Sequence, residues 1–265
     1  MNPNNLEGLE KINYYQSLSG EDKYRALNEI IGMSKKILFF GGAGVSTESG
    51  IPDFKSQCGL YHMQDDRFKE CAPEYLLSKK CLIEEPNVFF DFYKSKLDCR
   101  QAVSNTAHKK LAELERARKM LAVVTQNIDG LHQKAGSKKV YEIHGTTLRN
   151  YCMNCGKEYS SDYIFDSEEL VPRCKECGGI VRPDVTLYGE ALPDSFVRAL
   201  KLFNKADCLI IGGTSLTAKP ASNLLYEYYG KYLIIINRDE TFADKWADLV
   251  FHESIGEVFS RIKIK

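Results

Sequence analysis

Four of the nine cysteines stand in two closely spaced pairs, Cys152-x-x-Cys155 and Cys174-x-x-Cys177. Two such pairs are typical of a tetrahedral Zn²⁺ site, because four thiolates at about 2.3 Å close the coordination shell and leave no position for a substrate. The sequence therefore predicts one structural zinc ion. The other function known for such a module, a zinc ribbon that binds nucleic acid, is less favoured because Lys+Arg and Asp+Glu both number 36.

A second set of reactive side chains follows short apolar runs. His144 comes directly after the run 140–143, and Asn127 and Asp129 come shortly after the run 121–124. An imidazole titrates near neutral pH and can act as a general base, while amides and carboxylates hydrogen-bond polar ligands. Taken singly, a histidine more commonly has a surface or core role, and an aspartate can simply be a helix cap or a turn residue. Their common position after apolar runs favours a ligand cleft.

The apolar runs predict the elements that hold these side chains. Runs of Val, Ile and Leu that stop at small or polar residues are typical of buried parallel strands, and ligands bind beyond the carboxyl ends of such strands. Strands are predicted at 37–40, 121–124, 140–143, 209–211, 233–236 and 249–251, and helices at 21–36, 106–119, 195–204, 221–229 and 255–262. This alternation predicts an α/β fold, a Rossmann-like parallel sheet with helices on both faces.

Two segments interrupt the alternation. Residues 58–100 contain no convincing buried strand, and 74–77 and 88–97 have helical spacing, whereas the second interruption contains the four cysteines. We therefore predict a smaller lobe made of a zinc-binding module and a helical insertion, with a cleft between the lobes. The large domain would comprise residues 20–56, 105–145 and 183–265, and the small domain the helical insertion 57–104 and the zinc module 146–182.

Composition limits the function classes further. A chain of 265 residues with 43% hydrophobic residues can bury a full core, and its charge balance predicts no direct binding of nucleic acid. The polar N-terminus and the lack of a long apolar run predict neither secretion nor a membrane partner, so we expect a cytoplasmic protein. The scattered Cys58, Cys71, Cys81, Cys99 and Cys208 would then be reduced. The sequence leaves the oligomeric state open.

The triplet Gly42-Ala43-Gly44 after the first predicted strand is compatible with two interpretations. Glycines at this place let backbone N–H groups approach a pyrophosphate, and they also form ordinary tight turns. A dehydrogenase would continue with a second strand that ends in an acidic residue within about 30 residues. Here the chain continues as VSTESGIPDF, so a bound dinucleotide would be held differently.

Several motifs follow one another along residues 20–260: GAGVS at 42–46, SGIPDF at 49–54, TQNIDGLH at 125–132, HG at 144–145, the two cysteine pairs and GTSL at 213–216. Together they strongly resemble the motifs of the sirtuin family of NAD-dependent protein deacylases. In that family the acyl-lysine carbonyl oxygen attacks C1′ of the nicotinamide ribose as nicotinamide leaves. A histidine base then activates a ribose hydroxyl, and the products are free lysine and 2′-O-acyl-ADP-ribose.

The resemblance implies that this chain uses NAD to remove acyl groups, most simply acetyl, from lysine side chains of proteins or peptides. It implies His144 as the base, with Asn127 and Asp129 as further catalytic residues, and it implies NAD and one structural Zn²⁺ as cofactors. Asp53 and Asp129 would hold the nicotinamide carboxamide, although Asp53 after Pro52 also fits a simple turn. The full set implied for NAD is Gly42, Ala43, Gly44, Ser46, Thr47, Asp53, Phe54, Lys55, Gln126, Asn127, Ile128, Asp129, Gly213, Thr214, Ser215, Asn237, Asp239 and Ile255.

The segment 182–190 resembles the family loop that pairs its backbone with an extended acyl-lysine peptide, a mode in which main-chain hydrogen bonds supply affinity. The substrate-binding residues implied are Val185, Leu187, Gly189 and Glu190, with Tyr93 and Lys96 at the acyl group. Tyr93 and Lys96 stand where members that remove succinyl or malonyl groups have tyrosine and arginine, and a solvated helix surface is an equally good interpretation. Without the resemblance, 182–190 is a short strand that ends at a glycine turn.

Two residues depart from the family pattern. Lys55 replaces the usual arginine, which keeps the charge near the phosphates but loses the planar fork. Lys219 replaces a common tyrosine beside the peptide groove.

The leading hypothesis is an NAD-dependent protein-lysine deacetylase. The alternatives are a protein mono-ADP-ribosyltransferase, a desuccinylase or demalonylase, and a non-enzymatic NAD-sensing zinc module.

Overall fold

The computed structural model describes residues 6–53, Gly59 and 65–264. The predicted cofactor residues Phe54 and Lys55, and Cys58, lie outside the described residues. The strands are β1 Ile37–Gly41, β2 Met120–Thr125, β3 Val140–Glu142, β4 Gly145–Cys152, β5 Glu158–Ser160, β6 Val181–Val185, β7 Cys208–Gly212, β8 Tyr232–Ile236 and β9 Leu249–Phe251. The α-helices are α1 Gly8–Gln16, α2 Gly20–Met33, α3 Pro73–Leu76, α4 Lys79–Glu84, α5 Pro86–Lys96, α6 Thr106–Arg116, α7 Leu131–Lys134, α8 Ser161–Phe165, α9 Asp194–Phe203 and α10 Ile255–Ser260.

The main sheet has six described strands in the order β3-β2-β1-β7-β8-β9, and all its pairings are parallel. Side chains that alternate along each strand enter two cores. Phe39, Ile210 and Ile234 pack on the side of α2, α6 and α10, whereas Phe40 and Ile211 pack on the side of α9. Burial on both faces explains why these strands are continuous apolar runs in the sequence. The predicted Rossmann-like sheet is therefore confirmed.

The helix ends differ from prediction for local reasons. The predicted helix 21–36 is α2 and ends at Met33, because the N–H groups of Lys35 and Lys36 bind the Asp207 carboxylate at 2.8 and 3.0 Å instead of continuing the helix. The predicted helix 106–119 is α6 and ends at Arg116, since Arg118 adopts a left-handed conformation with φ of 60°. The predicted helix 221–229 is a 3₁₀-helix at Ala221–Glu227.

The small lobe contains an antiparallel sheet in the order β5-β4-β6, and its core joins this sheet to α3, α4 and α5. A β-bulge or irregularity interrupts the register of β4 and β6 between Thr146 and Asn150. Gly145 at the start of β4 has φ of +78°, and an added Cβ would lie 2.1 Å from the Asp184 carbonyl oxygen, so a side chain is excluded there. The predicted boundary between the small and the large domain, between residues 182 and 183, falls inside β6. The predicted division into domains stays a prediction.

Three further features complete the description of the fold. Helix α1, which was not predicted, packs near β9: the Gln16 amide donates to the carbonyl of Ala247 at 2.8 Å, and Lys11 pairs with Asp248 at 3.0 Å. Among the described residues, no helix is both long and apolar enough to cross a membrane. The eight described cysteines are all free thiols.

Candidate active site

The carboxyl ends of the parallel strands open into one cleft of about 900 Å³. The small lobe supplies the opposite wall through residues 96–99, 101–102 and 185–190. Of the residues predicted to bind NAD that the structure describes, these line the cleft: Ala43, Gly44, Ser46, Thr47, Asp53, Gln126, Asn127, Ile128, Asp129, Gly213, Thr214, Ser215, Asn237, Asp239 and Ile255. The predicted strand-end residues therefore converge, as expected for an open α/β sheet. Gly42 lies just behind this surface, in contact with Thr214.

The glycine loop after β1 is packed directly against the loop after β7. The Gly44 N–H donates to the Gly213 carbonyl at 2.8 Å, and Gly213 has φ of +58°. An added Cβ on Gly213 would lie 2.3 Å from the Val45 nitrogen, so no side chain fits. The loop is also supported from below, because the Asn105 amide donates to the Val45 carbonyl at 2.7 Å. Both loops are thus fixed at the place where backbone groups face the cleft.

Ser46, Asn127 and Asp129 form a connected polar network. The Ser46 hydroxyl donates to Asp129 Oδ2 at 2.6 Å and accepts from the Asn127 amide at 3.0 Å. The other carboxylate oxygen of Asp129 accepts the Leu131 N–H at 2.9 Å, which is an Asx turn directly before α7, whereas the N-cap of α7 is Gly130. Asp129 therefore stabilises this turn and also faces the cleft. A carboxylate, a hydroxyl and an amide in this arrangement can orient a polar ligand such as a carboxamide.

His144 lies between β3 and β4, and its ring is held by the loop after β2. Nδ1 lies 3.0 Å from the Gln126 carbonyl oxygen. Because a carbonyl oxygen only accepts, the neutral imidazole carries its proton on Nδ1 and offers Nε2 as the acceptor. Burial lowers the pKa of His144, and the hydrogen bond to Gln126 acts in the opposite direction. The ring is therefore neutral and oriented at physiological pH, as a general base must be.

The far end of the cleft is lined by the loops after β7 and β8. The Gln126 amide donates to the Thr214 hydroxyl at 3.1 Å, which links this end to the loop that holds His144. The Asn237 amide donates to the Asp239 carbonyl at 2.8 Å. Ile255, at the start of α10, closes the floor beside Gly212. These groups combine hydroxyls, amides and an apolar floor, which suits a ribose and a purine ring.

The predicted substrate-binding residues divide into two groups. Val185, Leu187, Gly189, Glu190 and Lys96 line the cleft. Tyr93 does not, and its predicted contact with the acyl group is wrong in this structure: the ring is fully buried and stacked between Phe89 and Phe165. The apolar faces of α5 and α8 enclose it, and among the described residues its hydroxyl has no hydrogen-bond partner. Tyr93 is a core residue of the small lobe.

The ligand atoms of Cys152, Cys155, Cys174 and Cys177 lie within 4.8 Å of one another, in the loops beside β4 and β6. Four thiols gathered in this way fit a tetrahedral Zn²⁺ and no larger group. The Tyr159 hydroxyl donates to Cys174 Sγ at 3.1 Å, and this hydrogen bond lowers the pKa of Cys174. Cys174 thus favours the thiolate form that a metal requires.

Sequence reasoning missed Tyr159 and Asn105. Nothing in the sequence around Tyr159 indicates that its hydroxyl turns toward a cysteine. Asn105 has a readable signature, because it stands directly before a helix-spaced segment and forms a capping box with His108 at the start of α6. Its contact with Val45, however, depends on tertiary packing.

The fold and the site define a class: a Rossmann-like α/β protein with a four-cysteine module and a helical insertion beside the carboxyl edge of its sheet. A sequence profile of the Sir2 family matches residues 42–220. A relative named NAD-dependent protein deacetylase from Clostridium acetobutylicum is 48% identical over 242 residues, which is 91% of this chain and 98% of the relative. A relative of the same name from Clostridium perfringens is 51% identical over 91% of this chain and 99% of its own. The chain belongs to the Sir2 family, the sirtuins.

Solved structures are similar as well. A structure described as Sir2 with a p53 peptide and NAD⁺ has a TM-score of 0.80 and 35% identity, and the match covers 90% of this chain and 96% of that one. A structure described as Sir2 bound to acetylated peptide has a TM-score of 0.79 and 34% identity, with the same coverage. The fold of this chain therefore occurs in proteins whose structures are described as containing a peptide, and in one case NAD⁺ as well.

Proposed function

We propose that the protein is an NAD-dependent protein-lysine deacetylase. The observation that carries this proposal is His144: its imidazole lies in the cleft at the crossover between the lobes, and the Gln126 carbonyl fixes its tautomer at 3.0 Å. The strand-end residues on one side and the segment 185–190 on the other provide room for a dinucleotide and an extended peptide together. Relatives with about half of their residues identical have this activity in their names.

NAD supplies the chemistry when bound, because the bond between its nicotinamide and ribose can be broken while an amide oxygen attacks the ribose carbon. The chain's own residues bind and orient. Asp129 and Asn127, fixed through Ser46, would hold the carboxamide. The loop 42–44 would lie beside the phosphates, where glycine lets the ligand approach closely; the N–H groups of Gly42 and Gly44 hold the loop itself, because they donate to the carbonyls of Gly212 and Gly213. His144 Nε2 would then take up the proton from a ribose hydroxyl.

Zinc is assigned a structural role. With four cysteine ligands, no coordination position is left for a substrate. The metal would cross-link the loops that flank β4 and β6, and β6 leads directly into the segment 185–190. Zinc thereby holds the wall of the cleft and takes no part in the reaction itself.

The acyl group is proposed to be uncharged. A dicarboxylic acyl group needs a free cation in its pocket, and the two residues predicted to meet it are engaged elsewhere. Tyr93 is in the core, and Lys96 Nζ is paired with Asp65 at 2.8 Å. The neighbouring cleft residues Leu97 and Ala102 are apolar. An acetyl group therefore fits better than succinyl or malonyl.

Incubation of the protein with NAD and an acetylated peptide tests the proposal. We expect stoichiometric nicotinamide, free lysine and acyl-ADP-ribose by mass spectrometry, and no turnover of a succinylated version of the same peptide. His144→Ala should lower the rate by at least about 10²-fold, a typical contribution of a general base. Titrations should show that this variant still binds NAD and peptide. Its melting temperature should equal that of the unaltered protein.

Other products would contradict the proposal. ADP-ribose attached to protein would indicate a mono-ADP-ribosyltransferase. Cofactor binding without release of nicotinamide would indicate a sensor. A His144→Ala variant that does not fold would show that the histidine is structural.

The location and the partners complete the proposal. We propose a cytoplasmic protein that acts on acylated proteins without direct binding of nucleic acid. The balanced charges support the lack of a nucleic-acid partner. Fractionation of cells and a binding assay with duplex DNA would test the two statements.

A further inference from the structure

The buried guanidinium of Arg182 holds together the end of β6 and the segment that follows it. The side chain is 5% exposed. Nε donates to the Pro183 carbonyl at 3.1 Å, and Nη2 donates to the Val185 carbonyl at 2.8 Å. The same guanidinium also donates to both carboxylate oxygens of Glu190: Nη1 lies 2.5 Å from Oε1, and Nη2 lies 3.1 Å from Oε2. Such a bidentate pair fixes geometry as well as charge.

Glu190 is fully engaged by this chain. Besides the two contacts with Arg182, its Oε2 accepts the Leu187 N–H at 2.9 Å. The Glu190 N–H in turn donates to the Leu187 carbonyl at 3.0 Å. Burial raises the pKa of Glu190, but these hydrogen bonds lower it overall, so the carboxylate remains charged. Its oxygens point back to the segment: Oε2 accepts two hydrogen bonds from this chain and Oε1 accepts one.

The other contacts of the segment hold it against both walls of the cleft. The Thr186 N–H donates to the His144 carbonyl at 2.9 Å. The Tyr188 N–H donates to Leu77 at 3.0 Å, and the Tyr188 carbonyl accepts from Lys79 at the same distance. Gly189 is different: it lines the cleft with φ of +87°, and among the described residues its N–H and C=O have no backbone partner. An extended peptide needs such unpaired main-chain groups to add a strand.

We propose that Arg182 and Glu190 are positioning residues that preform the backbone at Gly189 for peptide binding. This inference rests on the proposed deacetylase function and refines it. It revises the role of Glu190, which acts through Leu187 and Gly189 rather than by touching the peptide. A preformed edge lowers the ordering cost of peptide binding, so the clamp contributes to peptide affinity and leaves the chemical step unchanged.

Steady-state kinetics of two conservative variants test the proposal. Glu190→Gln keeps the size of the side chain and removes its charge, and Arg182→Lys keeps the charge and removes the fork. For each we expect KM for the acetylated peptide to rise by at least about tenfold, while kcat and KM for NAD stay within about twofold. Hydrogen exchange of the Leu187 amide should become faster, because its acceptor is lost or displaced.

The chain offers a matched control in the same small sheet. Arg149 and Asp184 form an ion pair between β4 and β6 at 3.0 Å, but their side chains are 60% and 40% exposed and lie outside the cleft. Asp184→Asn and Arg149→Lys make the same chemical changes at the surface. We expect both controls to keep the peptide KM of the original protein.

The outcomes separate cleanly. An unchanged peptide KM in Glu190→Gln, an equal rise in the control variants, or a fall in kcat alone would overturn the clamp. If Glu190→Gln lowers stability so far that its kinetics fail, peptide affinity and Leu187 exchange in Arg182→Lys below its melting temperature decide the question. If the unaltered protein releases no nicotinamide, the proposed function fails, whereas Leu187 exchange and acetyl-peptide affinity still test the clamp.

Discussion

At the scale of single residues, the site depends on side chains that other groups hold in place. His144 is oriented by the Gln126 carbonyl, and Asp129 by Ser46 and the Leu131 N–H. The types of these residues could be read from the sequence because each follows an apolar run. Their partners could not, since the Gln126 contact joins positions far apart in the chain. Tyr93 shows the opposite error: a polar residue in a helix was predicted to meet a ligand, and packing with Phe89 and Phe165 decided its place.

The environment of His144 predicts the pH dependence of the reaction. Burial lowers its pKa below the ordinary value of 6.5, and the reaction needs the neutral ring. The rate should therefore hold as pH falls from 8 to about 6.5 and decline only below that. The measurement is kcat/KM for the peptide against pH. An acidic limb with an apparent pKa above 6.5 would contradict the assignment of His144 as a buried base.

At the scale of elements, the sheet was predictable and the surrounding geometry less so. Parallel strands with both faces buried must be apolar throughout, so residues 37–40, 209–211 and 233–236 were recognisable as β1, β7 and β8. Helix ends and the 3₁₀ form of residues 221–227 depend on contacts such as Asp207 with Lys35, which local spacing does not encode. The contact between the glycine loops after β1 and β7 also depends on tertiary packing, so local spacing does not encode it.

Gly213 offers a test of that interlock. Gly213→Ala places a Cβ 2.3 Å from the Val45 nitrogen at a positive φ, so we expect a loss of about 2–4 kcal/mol in the free energy of unfolding and weaker NAD binding. The control is Gly20→Ala, which also has a positive φ, 53°, but has no atom within 4 Å of the added Cβ. Gly20→Ala should lose about 1 kcal/mol and keep NAD affinity. Urea unfolding and a cofactor titration measure both; equal losses would show that the loop contact is not tight.

At the scale of the whole molecule, two buried histidines join the large core to the site. The rings of His108 and His132 lie 4.7 Å apart beneath the loop that contains Asp129. His132 is 1% exposed, and among the described residues neither of its ring nitrogens has a hydrogen-bond partner. The sequence identified His132 only as part of a motif, and α6 carries His108 as part of its cap. Neither pattern reveals that the two rings meet.

This pair predicts a loss of stability in acid. Burial lowers the pKa of His108 to about 4 and lowers that of His132 as well, whereas both titrate near 6.5 when unfolded. Below pH 6.5 the unfolded chain binds more protons, so the free energy of unfolding falls as pH drops, until about pH 4 for His108. Each pKa unit by which burial lowers the titration of the pair corresponds to about 1.4 kcal/mol of stability lost over this range. Urea unfolding between pH 7 and 4 measures it.

A variant isolates the contribution of the pair. His132→Phe retains an aromatic ring that cannot take up a proton, and should flatten the decline. His252→Phe replaces a histidine whose side chain is 42% exposed, and it should not flatten the decline. An unchanged slope in His132→Phe would assign the acid sensitivity to other groups.

The position of residue 144 has a mechanical consequence. It is the single residue between Ile143, which still pairs with β2, and Gly145, where the other sheet begins. Its ring is tied to the Gln126 carbonyl and its own carbonyl to Thr186. When one body rotates against another, atoms at the axis travel least. If the cleft opens to admit NAD and peptide, the imidazole of His144 lies at the axis of the rotation. We therefore expect it to keep its distance to both binding sites while the outer edges of the cleft move apart.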